Sequence, residues 1–515
     1  MPEHLKALIV IVAIAAIVYW FAERPLCSAA TAIEDYRRRR NVWFAVTLIA
    51  FVSGDFWVYA IAAMSVVALT ALRDRTPLAL YCLLLLAIPP FDAKVPGFGL
   101  INYLLDLNHV RLLNLVILLP IAIRLMVARA PERSTGRTSG ILLLAYLLLM
   151  VALFARTGNM TLVMRQAFYL FVDAWLPFYV AANALRSVGA FRDVAASFAL
   201  SASILAVVAM FEFVRGWLLY GALDEAMGQA WGFGSYLRRG GTGSLRAIAT
   251  AGHPIVLGYV LMVGIAFMLV LQSTARPRML WRLGMASLVV GLLASASRGP
   301  WVGAVAMATV WLTLGPGAGK RMARAAGICA LPVLVLLLSP LGASFIDLLP
   351  FVGSVNADTV QYRQQLFWVS MSVLAQSPIF GVPNYLAAAE MQQLLQGEGI
   401  IDMVNSYVAI ALSLGIVGLL LFVSLFVVTG AAVYRTRARL VGVHSQAEQV
   451  GRALLAALVG VAMTIATVSS ISVIPTIYWF LLGMGVAYAR SFSAAAIPHA
   501  AVGRAAPLSA RGSTA

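Results

Sequence analysis

The sequence predicts an all-α, polytopic integral membrane protein, and three observations carry that prediction. Of 515 residues, 62% are apolar and only 11% are charged, against about 25% charged in an average soluble domain. One soluble core cannot absorb so much apolar surface and still cover its exterior with so few charges. Apolar runs also recur along nearly the whole chain, many approaching the ~20 residues that a spanning helix needs. The formal net charge of +17 would point to nucleic acid in a soluble protein; between membrane helices it marks basic loops on one face. A soluble enzyme, a disulfide scaffold, a disordered chain and a DNA-binding domain are excluded, and the bilayer, with no nucleic acid, is the expected environment. Cys27, Cys82 and Cys329 are far apart and without metal spacing, so they read as small hydrophobes.

In order, the run 5–22 is retained as a membrane helix because Glu23-Arg24-Pro25 follows it, where a signal peptide would carry small residues. The runs 42–54 and 56–72 form a hairpin about Ser53-Gly54-Asp55. Further spans fall at 77–90, 111–128, 140–155, 166–185, 194–214, 251–272, 283–297, 301–315, 327–340, 406–432, 453–468 and 474–490. The chain is therefore expected to have about 12–15 transmembrane helices. With the N-terminus outside, the alternate loops carry 26 of the 37 basic residues, from Arg24 and Arg37–Arg40 to Arg490, Arg504 and Arg511. The positive-inside rule supports that orientation. Asp173 and Glu212 fall inside apolar spans, where pairing with a neighbouring helix or a wet cavity is expected.

Two outer segments, 215–250 and 341–405, are too long for turns. The second contains Tyr362-Arg363, a Ser377-Pro378…Gly381…Pro383 break and a second helical stretch at 385–396. This gives an N-terminal transmembrane bundle (1–214), a periplasmic loop (215–250) and core transmembrane helices with a Ser-Arg-Gly turn (251–340). A large helical periplasmic loop (341–405), C-terminal transmembrane helices (406–490) and a disordered tail (491–515) complete it.

The chemistry is expected among the outer arginines. Arg298, in Ser295-Ala296-Ser297-Arg298-Gly299-Pro300-Trp301, sits between two short spans, where a guanidinium is costly without a partner or ligand. The plainer reading is an arginine snorkelling at the interface. Arg246 follows the glycine-rich stretch 240–244, with Arg238 and Arg239 before it and Arg363 in the large loop. Paired guanidinium groups suit bidentate binding of phosphate oxygens. At the outer leaflet of a bacterial membrane, the fitting anion is the pyrophosphate of a polyprenyl-linked sugar. Fixed positive charge beside the departing diphosphate lowers the barrier to breaking the sugar–diphosphate bond. No DxD, HExxH or His/Cys cluster is present, so neither a metal nor another cofactor is expected.

These elements resemble the O-antigen ligase/polymerase superfamily over roughly 240–430. Arg246-Ala-Ile-Ala-Thr-Ala-Gly252-His253-Pro254 is similar to its first arginine element, and Ser297-Arg298-Gly299-Pro300-Trp301 to its Ser-Arg-Gly turn. Tyr362-Arg363, Ser377-Pro378-Ile-Phe-Gly381 and Asn405-Ser406-Tyr407…Leu414-Gly415-Ile416-Val417-Gly418 resemble the periplasmic loop and re-entry helix. The resemblance implies a GT-C-like glycosyltransferase of the bacterial inner membrane. Its donor would be an undecaprenyl-diphosphate-linked oligosaccharide used at the periplasmic face, with a chain-length regulator or export complex as partner.

One departure matters. Ligases of this family carry His-Asn at the end of the large loop, and here Val404 precedes Asn405. Valine cannot take a proton. Asp402, Glu398 and Glu390 are the nearby carboxylates, and an ordinary solvated loop acid is the plainer reading of each. The resulting site has Arg298, Arg246, Asp402 and Glu398 as catalytic residues. Arg363, Arg238, Arg239, His253, Asn405 and Tyr407 are its substrate-binding residues. The missing histidine favours a polymerase of O-antigen or exopolysaccharide repeat units over a ligase transferring glycan to lipid A-core. A lipid-linked oligosaccharide flippase is the rival class, and the absence of a visible repeat weighs against it. An inactive subunit of an export complex is a third.

Overall fold

The computed structural model describes residues 1–97, 99, 102–128, 136–156, 158–229, 245–327, 357–395 and 401–493, the side chains of 357–360 excepted. The predicted span 327–340, the 491–515 tail beyond 493, and Arg238, Arg239 and Glu398 lie outside them. The long helices are α1 (Glu3–Ala29), α2 (Ile33–Val52), α3 (Phe56–Ala71), α4 (Pro77–Leu84), α5 (His109–Val127) and α6 (Arg137–Ala155). They continue with α7 (160–184), α8 (Val188–Arg215), α9 (Pro254–Val270), α10 (Arg278–Ala294) and α11 (Arg298–Thr313). α12 (Ala357–Gln376), α13 (Ser406–Leu440), α14 (Ser445–Ile465) and α15 (Ile474–Phe492) complete the set. The chain is an all-α polytopic membrane protein.

Six of these helices are long and apolar enough to cross a membrane: α1, α5, α6, α8, α13 and α14. Only 28% of the apolar window of α1 is buried in the protein, against 83% for α8. A helix apolar on every side and mostly uncovered needs a lipid solvent, whereas α8 is the centre of the bundle, packed on α4, α9 and α10. Small residues permit that packing. A Cβ at Gly291 would meet the backbone of Ala206, and one at Gly303 would strike Thr464 and the Gly460 carbonyl. Close helix approach through small residues is the expected glue where solvent supplies no hydrophobic drive.

The hairpin at 53–55 is present, with Asp55 Oδ1 accepting from the backbone N–H of Trp57 (2.7 Å) and Val58 (3.1 Å). Four features depart from the sequence reading. The run 77–90 yields a helix only to Leu84, buried throughout from Leu78. A two-stranded antiparallel hairpin, β1 (Ala93–Pro96) with β2 (Tyr103–Leu107), follows it. α5 and α7 each contain a π turn, at Asn114–Leu118 and Phe171–Trp175, which the apolar periodicity did not reveal. Of the predicted stretch 385–396, the described residues 385–395 hold only the short elements Tyr385–Ala387 and Ala389–Gln392, with Ala388 between them in extended backbone.

Hydrogen bonds between loops sort the two ends of the bundle. At one end Arg276 N–H donates to Ser28 Oγ (2.8 Å), Arg192 to Gln446 (3.1 Å) and Arg490 to Asn183 (2.6 Å). There also Arg39, 2% exposed, bridges Asp74 (2.7 Å) and Asp193 (2.8 Å). These are the loops that charge counting assigned to the basic face. The arginine-bearing outer loops gather at the other end.

Candidate active site

The site is built from three turns that enter helices α9, α11 and α15 at that second end. Among the described residues, the three non-glycine positions at positive φ are Ala249 (46°), Ala296 (46°) and Ser472 (53°), one in each turn. Left-handed backbone costs an L-residue about 1–2 kcal/mol, so the surrounding contacts must hold each turn in place.

For the first turn that holder is Glu212, fully buried near the end of α8. Its Oε1 accepts from Leu219 N–H (3.1 Å) and its Oε2 from Ile248 (3.0 Å) and Ala249 (2.8 Å). The intramembrane acid thus satisfies backbone donors of the segment carrying Arg246. Arg246 Nη2 in turn donates to Ser297 Oγ (2.9 Å), which donates to Ser295 O (3.1 Å). Ser297 is adjacent to Arg298, so one hydrogen bond joins the two arginine elements across 51 residues of sequence. Trp301 Nε1 donates to Leu292 O (2.9 Å), closing the Ser-Arg-Gly turn over the end of α10. A Cβ at Gly299 would meet the Thr467 and Val468 side chains (2.6 Å each), so glycine there permits close packing on the segment after α14.

Arg363, on α12, comes within electrostatic reach of both Arg298 and Asp402. Partial burial lowers the Arg363 guanidinium below its ordinary value; Asp402 raises it and Arg298 lowers it further. A break in α13 fixes α12 here. Gly415 has φ 68° and ψ −170°, and its neighbours find partners in the Ser377–Gly381 turn. Ile416 N–H donates to Pro378 O (2.8 Å), and Val382 N–H to Leu412 O (2.7 Å). A Cβ at Gly381 or Gly415 would fall on the opposing backbone. The two glycine motifs are therefore the two halves of one backbone joint.

The segment 466–473, which sequence reasoning passed over, staples the site. Ser469 Oγ donates to Asp402 Oδ1 (3.0 Å) and Met403 O (2.6 Å), Ser406 Oγ to Val468 O (2.8 Å), and Ser470 pairs with Ser406 (2.7 Å). Three serines in an apolar stretch were the available signal. Tyr362 OH donates to Asp402 O (3.3 Å) and accepts from its N–H (3.1 Å). Val404 lines a cavity of about 150 Å³ with Arg363, Met403, Asn405 and Thr467, so the residue replacing histidine does face the arginine site.

Other candidates have structural tasks. Asn405 Oδ1 caps α13, accepting from Tyr407 N–H (2.9 Å) and Val408 N–H (3.3 Å). Tyr407 OH donates to Ala462 O (3.0 Å), and Glu390 accepts from Gln376 (2.8 Å). His253 Nδ1 accepts from Ile255 N–H (3.1 Å), capping α9. A neutral imidazole accepting at Nδ1 carries its proton on Nε2 and is a donor there. The Arg246 charge reaches this ring. Asp173 pairs with Arg111 (2.9 Å), the neighbouring-helix partner its depth demanded.

Arginines brought together with a tethered carboxylate are groups that can hold an anion next to a proton acceptor. Comparison with known proteins adds one finding. Residues 283–423 match the family model described as O-Antigen ligase, a stretch that contains Arg298, Arg363, Asp402 and the Gly415 break but neither Arg246 nor His253. No curated protein matches the chain. Over this stretch, somewhat more than a quarter of its length, the chain is similar to the O-antigen ligase family.

Proposed function

We propose that the protein is a glycosyltransferase that polymerises undecaprenyl-diphosphate-linked repeat units of O-antigen or exopolysaccharide at the periplasmic face of the bacterial inner membrane. The observation that carries this reading is the Arg246–Ser297 bond, which joins the two arginine-bearing segments, with Arg363 in electrostatic reach of Arg298. Guanidinium groups gathered at one end of a membrane protein suit an anion with several oxygens, and a lipid diphosphate is the anion that a bilayer delivers there. In this reading Arg246 and Arg298 hold the diphosphate oxygens, and Arg363 adds charge from the large loop. An acceptor hydroxyl attacks the anomeric carbon while the bond to the diphosphate oxygen breaks, the diphosphate leaving with the electron pair. Asp402, oriented by Ser469, takes the hydroxyl proton. The arginines supply the charge stabilisation, so the step needs neither a metal nor a nucleotide sugar.

Val404 favours a polymerase over a ligase, because the position lacks a group able to accept a proton. The ligase description of the matched domain keeps transfer to lipid A-core as the second reading. Purified protein in liposomes with lipid-linked repeat units is expected to extend chains. Leaflet exchange without new glycosidic bonds would instead mean a flippase. In a strain lacking the protein, single repeats on lipid A-core indicate a lost O-antigen polymerase, and loss of secreted polysaccharide with normal lipopolysaccharide a lost exopolysaccharide polymerase. Long polymer accumulated on its carrier indicates a lost ligase.

A further inference from the structure

A second and larger cavity, about 380 Å³, is lined by Ile471 and Ser472 of the 466–473 segment, whose Ala466 and Thr467 line the Arg363 cavity, and by His253. Its walls include Asp92, Asn108, Arg111, Asp173, Ser472 and Thr476, residues drawn from four separate stretches of the chain. Most of them precede the matched domain.

The chemistry of this lining differs from that of the arginine site. Arg111, its one guanidinium, is already committed: Nε donates to Asp173 Oδ2 (2.9 Å), Nη1 donates to Asp106 O (2.7 Å), and the group lies 3.8 Å from the centre of the Tyr169 ring. Two carboxylates against one spent arginine make the cavity unfit for phosphate. Asn108 is likewise committed, its Oδ1 accepting from Arg111 N–H (3.0 Å) and its Nδ2 donating to Asp92 Oδ1 (2.9 Å). Asp173 Oδ1 is buried with no hydrogen-bond partner among the described residues, an acceptor that costs free energy until a donor reaches it. Pro90, Val110 and Ile471 add apolar surface between the polar groups. Carboxylates that accept, hydroxyls that do both, and small apolar faces between them fit a ligand rich in hydroxyl groups and C–H faces. The volume is at the small end of ligand pockets.

We propose that this cavity binds the sugar residues of the substrate, with Asp92 and Asp173 accepting from saccharide hydroxyls while the arginines of the site described above hold the diphosphate. This rests on the glycosyltransferase reading above and divides that substrate between two chemically opposite sites. Asp92 is exposed, and its replacement removes the hydrogen bond from Asn108 without opening the core.

The test uses the full-length protein in detergent and equilibrium dialysis with two probes. One is the free oligosaccharide released by mild acid from the cells' own lipid-linked precursor; the other is inorganic pyrophosphate. Asp92→Asn is expected to weaken oligosaccharide binding at least tenfold, and Asp92→Arg, which also fills the cavity, to abolish it. Neither should change pyrophosphate binding, and Arg298→Ala should do the reverse. Oligosaccharide binding that survives both Asp92 variants, or that wild-type protein lacks, overturns the proposal. So does pyrophosphate binding that depends on Asp92. If Arg298→Ala leaves pyrophosphate binding and chain extension intact, the glycosyltransferase reading fails instead, while Asp92-dependent oligosaccharide binding still supports a saccharide cavity.

Discussion

Glu212→Gln tests whether a buried carboxylate, rather than the arginines' own contacts, sets the geometry of the site. Glu212 faces three backbone donors, those of Leu219, Ile248 and Ala249, at 2.8–3.1 Å. Glutamine has the same shape but one acceptor oxygen. Its best orientation keeps the pair from Ile248 and Ala249 and turns an NH₂ towards Leu219 N–H. One charge-assisted bond is lost and two become neutral. With charged bonds worth about 1.5–3 kcal/mol and neutral ones about 0.5–1.5, the lost bond costs about 2 kcal/mol and the two neutralised ones about 1.25 each, about 4.5 kcal/mol together. Each 1.36 kcal/mol is tenfold, so the segment bearing Arg246 loses its placement by a factor of about 1,000 or more. The expected result is up to a thousandfold slower chain extension in proteoliposomes, measured per folded protein by size-exclusion chromatography. Glu212→Ala, which orphans all three donors, should lower the yield of folded protein as well. If Glu212→Gln extends chains within twofold of wild type while Arg246→Ala is inactive, something other than this carboxylate positions Arg246.

Arg298→Ala is expected to cut product formation by about 100- to 1,000-fold, the usual loss of one preorganised electrostatic group. Arg298→Lys should recover only part of it, read as lipid-linked precursor left unconsumed. Gly415→Ala places a Cβ on the Ile379 carbonyl at φ 68°, adding at least about 1 kcal/mol of backbone cost. Limited proteolysis within 357–395 should accelerate, while Gly430→Ala, with open space around it on the same helix, leaves the rate unchanged. Arg39→Ala strands Asp74 and Asp193 in the core and should cost about 3–5 kcal/mol, seen as loss of membrane-inserted protein in immunoblots. His253→Asn keeps a side-chain cap for α9 and is expected to retain product formation within tenfold. A loss of 100-fold or more would make the imidazole a proton-transfer group.

Hydropathy and charge alone determined the class of the protein. An apolar helix needs no knowledge of its neighbours to prefer lipid, so the long runs at α1, α8 and α13 were legible in the sequence, as was the Asp55-capped hairpin. The arginine elements were legible too, because Arg298 between two spans is conspicuous by its solvation cost. Tertiary structure decided which groups act together. Glu212 looked like an intramembrane charge, and only the fold shows it accepting the backbone of the Arg246 turn. Ser377–Gly381 and Gly415 were two separate patterns until the break in one helix was seen to be filled by the other's backbone. The serines after α14 were the one local signal of their segment, but short polar residues between spans read as turns, and the cavity at Arg111 carries no local signature. Periodicity reports which face of a helix is apolar; it cannot report which loop, hundreds of residues away, completes a hydrogen bond. Sequence thus fixed the solvent, the helices and the charged residues, while the pairing of those charges at one end of the bundle depended on long-range contacts that only the folded chain contains.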